Sequence, residues 1–154
     1  MADIDFLNSG NQLFQTATQY EDVYNALANS LGLHNQDIFM IAVYLGVRSG
    51  KKESARNYQG KEFRPSYLSK KQQGVLYGLA FRDRLFKKEA DFKDPELIND
   101  AKLLFNEYAN QGAMIIRDTV LNGFDISQVG KKEQSEVARS IVQYLLKEKD
   151  ATPF

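Results

Sequence analysis

The sequence predicts an all-α, single-domain bundle of five or six helices. Three observations predict it. Apolar residues recur at helical spacing in five separate segments, two of those segments open on complete helix-start signals, and no segment alternates with the period of two that a half-buried strand requires. The chain has 154 residues, of which 43% are hydrophobic and 26% charged, which is enough apolar material for one core.

The first helix is read from Tyr20, Val23, Tyr24, Leu27 and Leu31, with Gly32 as its stop. Asn35 or Asp37 is positioned to cap a second helix through Ile38, Phe39, Ile41, Ala42 and Leu45. Its apolar density marks it as central and buried, with a buried strand as the competing reading. A long loop of about fifteen residues follows, punctuated by Gly50, Gly60 and Pro65. Ser69 with Gln72 forms a capping box that opens a third helix through Val75, Leu76, Leu79, Phe81 and Phe86. Asp94-Pro95-Glu96 combines a capping side chain, Pro at the first helical position and an acid at the positive end of the helix dipole. That fourth helix carries Leu97, Ile98, Ala101, Leu104, Phe105 and Tyr108 and is read on through Met114, Ile115 and Val120 to Asn122-Gly123, with Gly112 as a point of kink or division. A last helix spans roughly 133–148, with Val137, Ile141, Tyr144 and Leu145 on one face. Residues 1–15 read as a loose N-terminal arm whose Phe6, Leu7, Leu13 and Phe14 are able to dock, and 16–150 as the helical domain.

Composition removes several kinds of chemistry. With no Cys and a single His, His34, the chain has no thiolate metal site and no disulfide, and Ser-His or Cys-His catalysis is disfavoured. His34 reads as a surface or boundary residue. No apolar run reaches the roughly 18 residues of a membrane span. The opening MADIDFLNSGNQ lacks the basic-then-apolar profile of a secretory signal, so a cytoplasmic location is expected. No cofactor is expected.

Twenty basic and twenty acidic residues balance to zero, but they are unevenly placed. Residues 1–47 hold five acids and no Lys or Arg, whereas residues 48–71 hold eight bases and two acids. Such a block creates a local field within a neutral protein. Arg48, Lys51, Lys52, Arg56, Lys61, Arg64, Lys70 and Lys71 are the candidate contacts for phosphate or an acidic partner. Tyr58, Phe63 and Tyr67, interleaved among them, are candidates to stack on bases or to anchor the loop to the core. A homo-oligomer in which the acidic third of one copy meets the basic loop of another is a further option.

Other constellations are weaker. Gly46-Val47-Arg48-Ser49-Gly50-Lys51-Lys52 resembles a phosphate loop but has three residues between its glycines instead of four, and Lys52 where the magnesium-binding hydroxyl belongs. A helix ending in basic residues and a Gly cap explains it better. Asp91, Asp94, Asp100 and Lys102 suggest a small magnesium-dependent nuclease, but Asp100 and Lys102 lie two apart on a helix and point to different faces. Asp91 with Asp94 and Glu133 with Glu136 read as caps or solvated faces. Asn106 and Asn110, four apart on the fourth helix, share a face and are placed to bond a neighbouring loop, the basic one among the options, or to mark a turn between helices.

Two segments together resemble the DNA phosphorothioation-associated protein 4 family. One is Asp37-Ile38-Phe39 leading through the apolar run to Gly46 and Gly50-Lys51-Lys52. The other is Phe105-Asn106-Glu107-Tyr108-Ala109-Asn110-Gln111-Gly112 followed by Met114-Ile115. The similarity covers roughly residues 35–125. It implies a bacterial cytoplasmic accessory protein of anti-phage defence, associated with DNA-acting proteins, and it carries over no catalytic set. Small helical subunits that bridge a chromosome-maintenance-type ATPase to an effector nuclease offer a related likeness. The expectation is therefore a non-catalytic accessory or adaptor subunit whose contact surface is the 48–71 stretch, with defence-operon proteins, and DNA as an option, for partners.

Overall fold

A computed structural model describes residues 13–124 and 131–150. The described residues form five α-helices and one two-stranded antiparallel ribbon. In chain order they are β1 (Phe14–Gln15), α1 (Glu21–Leu31), α2 (Asn35–Ser49), β2 (Glu62–Phe63), α3 (Lys70–Arg82), α4 (Pro95–Asp118) and α5 (Lys131–Asp150), with short 3₁₀ turns at Thr18–Tyr20, Pro65–Tyr67 and Glu89–Lys93. The all-α reading holds. No helix among the described residues is long and apolar enough to cross a membrane.

Local chemistry sets the helix boundaries. Gly32 and Gly50 both take left-handed backbone angles, with φ of 67° and 73°, and close α1 and α2. At α3 the Ser69 hydroxyl accepts from the Gln72 amide while the Gln72 side chain accepts from the Ser69 amide. That helix ends at Arg82, so Phe86 lies beyond it, fully buried and edge-on to the Phe81 ring. Asp94 accepts from the Glu96 amide at the start of α4. The second helix begins differently from expectation: His34 occupies the N-cap and its side chain makes no capping bond. Helix α4 stops at Asp118, short of the expected Asn122-Gly123, where Thr119 is the C-cap, and Gly112 neither kinks nor divides it over its unbroken 24 residues.

The reason lies in the main packing contact of the fold, α2 against α4. A Cβ on Gly46 would strike the Tyr108 carbonyl, and a Cβ on Gly112 would strike the Ala42 carbonyl. Ala42 and Gly46 are one turn apart on α2, as are Tyr108 and Gly112 on α4. The two glycines therefore let the backbones meet directly, and the surrounding Phe39, Val43, Phe105, Ala109 and Ala113 are all buried. Helix α5 closes the bundle against α1 with Val137 and Ile141 fully buried.

The end of the expected loose arm is ordered into the core. Phe14 and Gln15 pair with Phe63 and Glu62. The Phe14 and Phe63 rings stack nearly parallel with centroids 5.0 Å apart, and Phe39 of α2 lies 5.4 and 5.2 Å from them. Burying each ring contributes roughly 1.5–3 kcal/mol. That exceeds what a two-residue ribbon provides by itself. The first twelve residues of the expected arm lie outside the described residues.

Candidate functional site

The 48–71 stretch leaves α2 and is pinned to the body of the protein by α4 and by the residues around β1. The Glu53 amide donates to the Glu107 carbonyl (3.0 Å), and Asn110 Nδ2 donates to the Glu53 carbonyl (2.9 Å) and the Tyr58 hydroxyl (3.1 Å). Further along, the Thr18 amide donates to the Asn57 carbonyl, the Gln59 amide to Thr18 Oγ1, and the Lys61 amide to Thr16 Oγ1. Gly60 lies against Thr16 and Ala17 so closely that a Cβ there would come within 2.9 Å of three of their oxygens. Asn106 does the same work for β1, donating to the Gln15 carbonyl at 3.2 Å. The two mid-helix asparagines thus hold neighbouring segments, one of them the basic loop.

This fixed path sorts the eight candidate cations. Arg48, Lys61 and Lys52 are engaged within the chain. Arg48 turns toward α5, where its Nη2 donates to the Glu148 carbonyl at 2.8 Å, its Nε lies 4.0 Å from the Glu148 carboxylate, and its guanidinium covers the Tyr44 ring. Lys61 pairs with Glu21 of α1 at 3.5 Å, so the acidic first third does meet the basic block within one copy. Lys52 lies over the Tyr108 ring, 5.8 Å from its centroid. Lys51, Lys52, Arg56, Arg64, Lys70 and Lys71 are exposed, so Lys52 combines its ring contact with access to solvent. The candidate aromatics divide likewise. Phe63 is buried in the Phe14–Phe39 cluster and Tyr58 is half-buried and bonded to Asn110, so both anchor the loop and neither is presented for stacking. Tyr67 is 57% exposed. Arg48 and Lys61 are thus partly buried and paired within the chain, while the other six cations are exposed.

The phosphate-loop resemblance dissolves into helix geometry: Gly46 is inside α2 at the crossing, Ser49 Oγ donates to the Gly46 carbonyl, and Gly50 is the C-cap. The four residues of the nuclease reading are not gathered. Asp91 accepts from the Lys87 and Lys88 amides at a 3₁₀ turn, and Asp94 caps α4. Asp100 is exposed, whereas Lys102 is buried with its ammonium over the Phe14 ring at 5.5 Å. Burial lowers the Lys102 pKa. Among the described residues no group of three His, Cys, Asp or Glu side chains is placed to hold a metal ion. Glu133 lies among the residues whose side chains are not described, and Glu136 is exposed.

A polar cluster that sequence reasoning missed joins the end of α3 to the middle of α4. The Tyr108 hydroxyl donates to Asp83, Arg82 Nη2 donates to the Tyr108 oxygen at 2.9 Å, and Arg82 Nε meets Asp83 at 3.0 Å. Tyr108 and Asp83 are 25 apart in sequence, so no local spacing announces the cluster. Burial pushes the Asp83 carboxyl up, but bonds from Tyr108 and Arg82 and the charges of Arg82 and Lys52 outweigh it and hold the group below its ordinary 3.8. Asp83 therefore stabilises the fold above the unfolded-state value, and that contribution is lost as pH falls through the lower folded-state value. Asp83→Asn should cost stability at neutral pH. In urea unfolding the gap from the parent protein should narrow as pH drops below 3.8; a gap independent of pH would contradict this.

Comparison of the chain with protein-family models, curated proteins and solved structures returns no match. The two segments that carry the resemblance to the phosphorothioation-associated family form the two sides of the α2–α4 crossing. Gly46, Gly112, Phe39, Phe105 and Asn110 all serve packing or pinning there.

Proposed function

We propose that this chain is a non-catalytic accessory subunit that works by contact, presenting the exposed part of the 48–71 stretch to an anionic partner. The observation that carries the reading is a long irregular loop tied to the body by buried Asn110, Thr16 and Phe63 while Lys51, Arg56 and Arg64 face solvent. A preordered loop binds without the entropy cost of ordering itself, and binding residues are found disproportionately on such loops. The setting in bacterial DNA-directed defence rests on the resemblance of the two crossing segments alone. Within it, nucleic acid and an acidic protein of the same operon are the partner classes the charge suits.

A salt titration separates them. If the loop neutralises phosphates, affinity for duplex DNA falls steeply with salt. Converting Lys51, Arg56 and Arg64 to Ala then makes the log–log salt dependence shallower by about 1 per phosphate left without its cation. Absence of DNA binding at low salt, together with co-purification of an acidic operon protein that the same triple variant abolishes, identifies a protein partner. Metal-dependent DNA cleavage by the purified chain overturns the non-catalytic reading.

A further inference from the structure

Helix α3 is written against its own stability in three ways. Lys70 and Lys71 stand in its first turn with no acid there, at the positive end of the helix dipole. Gly74 and Gly78 occupy its interior, and a Cβ on either would meet nothing within 4 Å. Each glycine weakens the helix equilibrium about two- to fivefold relative to Ala. Past the Asp83 C-cap, Arg84 takes a left-handed φ of 62°, where glycine is the favoured residue.

Packing does not make up the difference. Of the thirteen residues of α3 only Leu76, Leu79 and Ala80 are buried, against more than half of α4. A groove of about 390 Å³ remains between α3 and α2, lined by Met40, Val43 and Val47 on one side and by Gly78 and Leu79 on the other. The two helices therefore do not interlock as α2 and α4 do at Gly46 and Gly112.

What holds α3 is concentrated at its ends. Leu68 before it and Phe86 after it are buried, so the chain on either side is fixed. At the first turn Gln72 Nε2 reaches Asp37 only at 3.4 Å, a long bond. At the last turn the tie is the polar cluster, in which Tyr108 donates to Asp83 and Arg82 bonds to both. Tyr108 belongs to α4, whose backbone meets α2 without the help of α3. The cluster thus joins a weak helix to a well-packed body.

We propose that α3 is a lid over the apolar face of α2, that residues 70–82 open as one unit while α1, α2 and α4 stay packed, and that the Tyr108–Asp83–Arg82 cluster is its latch. Opening uncovers Met40, Val43 and Val47 together with Leu76 and Leu79, apolar side chains that the closed protein covers wholly or in part. The lid does not depend on what the 48–71 stretch binds.

Hydrogen exchange of the full chain at sub-denaturing urea tests it. The Val75–Arg82 amides should exchange through an opening that costs less than global unfolding and depends less steeply on urea than exchange of the α2 and α4 amides. Tyr108→Phe should quicken α3 exchange about tenfold, which corresponds to ~1.4 kcal/mol. Gly78→Ala should slow it about two- to fivefold. Ile116→Val, two turns along α4 from Tyr108 and fully buried, should quicken the α2 and α4 amides and leave those of α3 unchanged. The chain has no Cys, so an introduced thiol is unique. Val43→Cys, beneath α3, should be labelled through the same opening as the α3 amides, and Val23→Cys in α1 only through global unfolding. The proposal is overturned if the α3 amides match those of α2 and α4 in exchange and urea dependence, or if Ile116→Val quickens all of them alike. Exchange of α3 unmoved by Tyr108→Phe, or Val43→Cys labelled no faster than Val23→Cys, overturns it as well.

Discussion

Gly112→Ala is expected to destabilise the protein by about 3 kcal/mol, at the upper end of what overpacking costs. The added methyl would occupy the space of the Ala42 carbonyl. That obstacle is backbone within a helix, so it cannot rotate away as a side chain would. Alanine's better helix propensity returns only ~1 kcal/mol. For a domain of this size the net loss corresponds to a fall in melting temperature on the order of 10 °C. Gly46→Ala, which drives its methyl into the Tyr108 carbonyl from the opposite helix, should behave alike. The same substitution at Gly74, where the space is open, should instead raise stability by about 0.5–1 kcal/mol. Thermal melts of the three variants side by side check the argument. Equal effects at Gly112 and Gly74 would mean that the helices do not touch at the crossing.

Asn110→Leu is expected to cost about 2 kcal/mol through the acceptor it leaves behind. Asn110 is 2% exposed, and its amide is the donor that satisfies the Glu53 carbonyl and the Tyr58 oxygen. Leucine has similar bulk, so packing changes little and the loss isolates the hydrogen bonds. The effect should be local. Hydrogen exchange should quicken at the Glu53 amide, which is bonded to the Glu107 carbonyl beside the missing anchor. The Gln59 and Lys61 amides are held independently by Thr18 and Thr16 and should stay protected. If the 48–71 stretch is the binding surface, Asn110→Leu also weakens partner binding without altering any exposed cation. Unchanged exchange at Glu53 would show that the loop is held by other means.

Much of the fold was legible in the sequence because helix ends are written locally. The Ser69–Gln72 box, the Asp94-Pro95-Glu96 start and the Gly32 and Gly50 stops all lie within a few residues of the boundary they set. The facing of Asn106 and Asn110 followed from the helical period alone. Strands β1 and β2 were not legible, since two residues cannot display an alternation. They exist because Phe14 and Phe63 find Phe39. The Tyr108–Asp83–Arg82 cluster and the Arg48–Glu148 pairing join residues far apart in sequence and leave no local trace. The candidate site was half legible for the same reason. Composition located the cations, but only the path of the chain decides that Arg48, Lys52 and Lys61 meet groups of their own subunit while Arg56 and Arg64 face solvent.

The α2–α4 crossing also bears on how the chain folds. Its two helices are separated by the basic loop, α3 and a 3₁₀ turn, so forming it closes a long stretch of polypeptide before that stretch gains contacts of its own. Such non-local closure slows a helical protein relative to bundles whose neighbours are adjacent in sequence. Because the Asn110 bonds to Glu53 and Tyr58 form only once α4 has docked, that part of the basic loop should be among the last parts of the molecule to mature after synthesis.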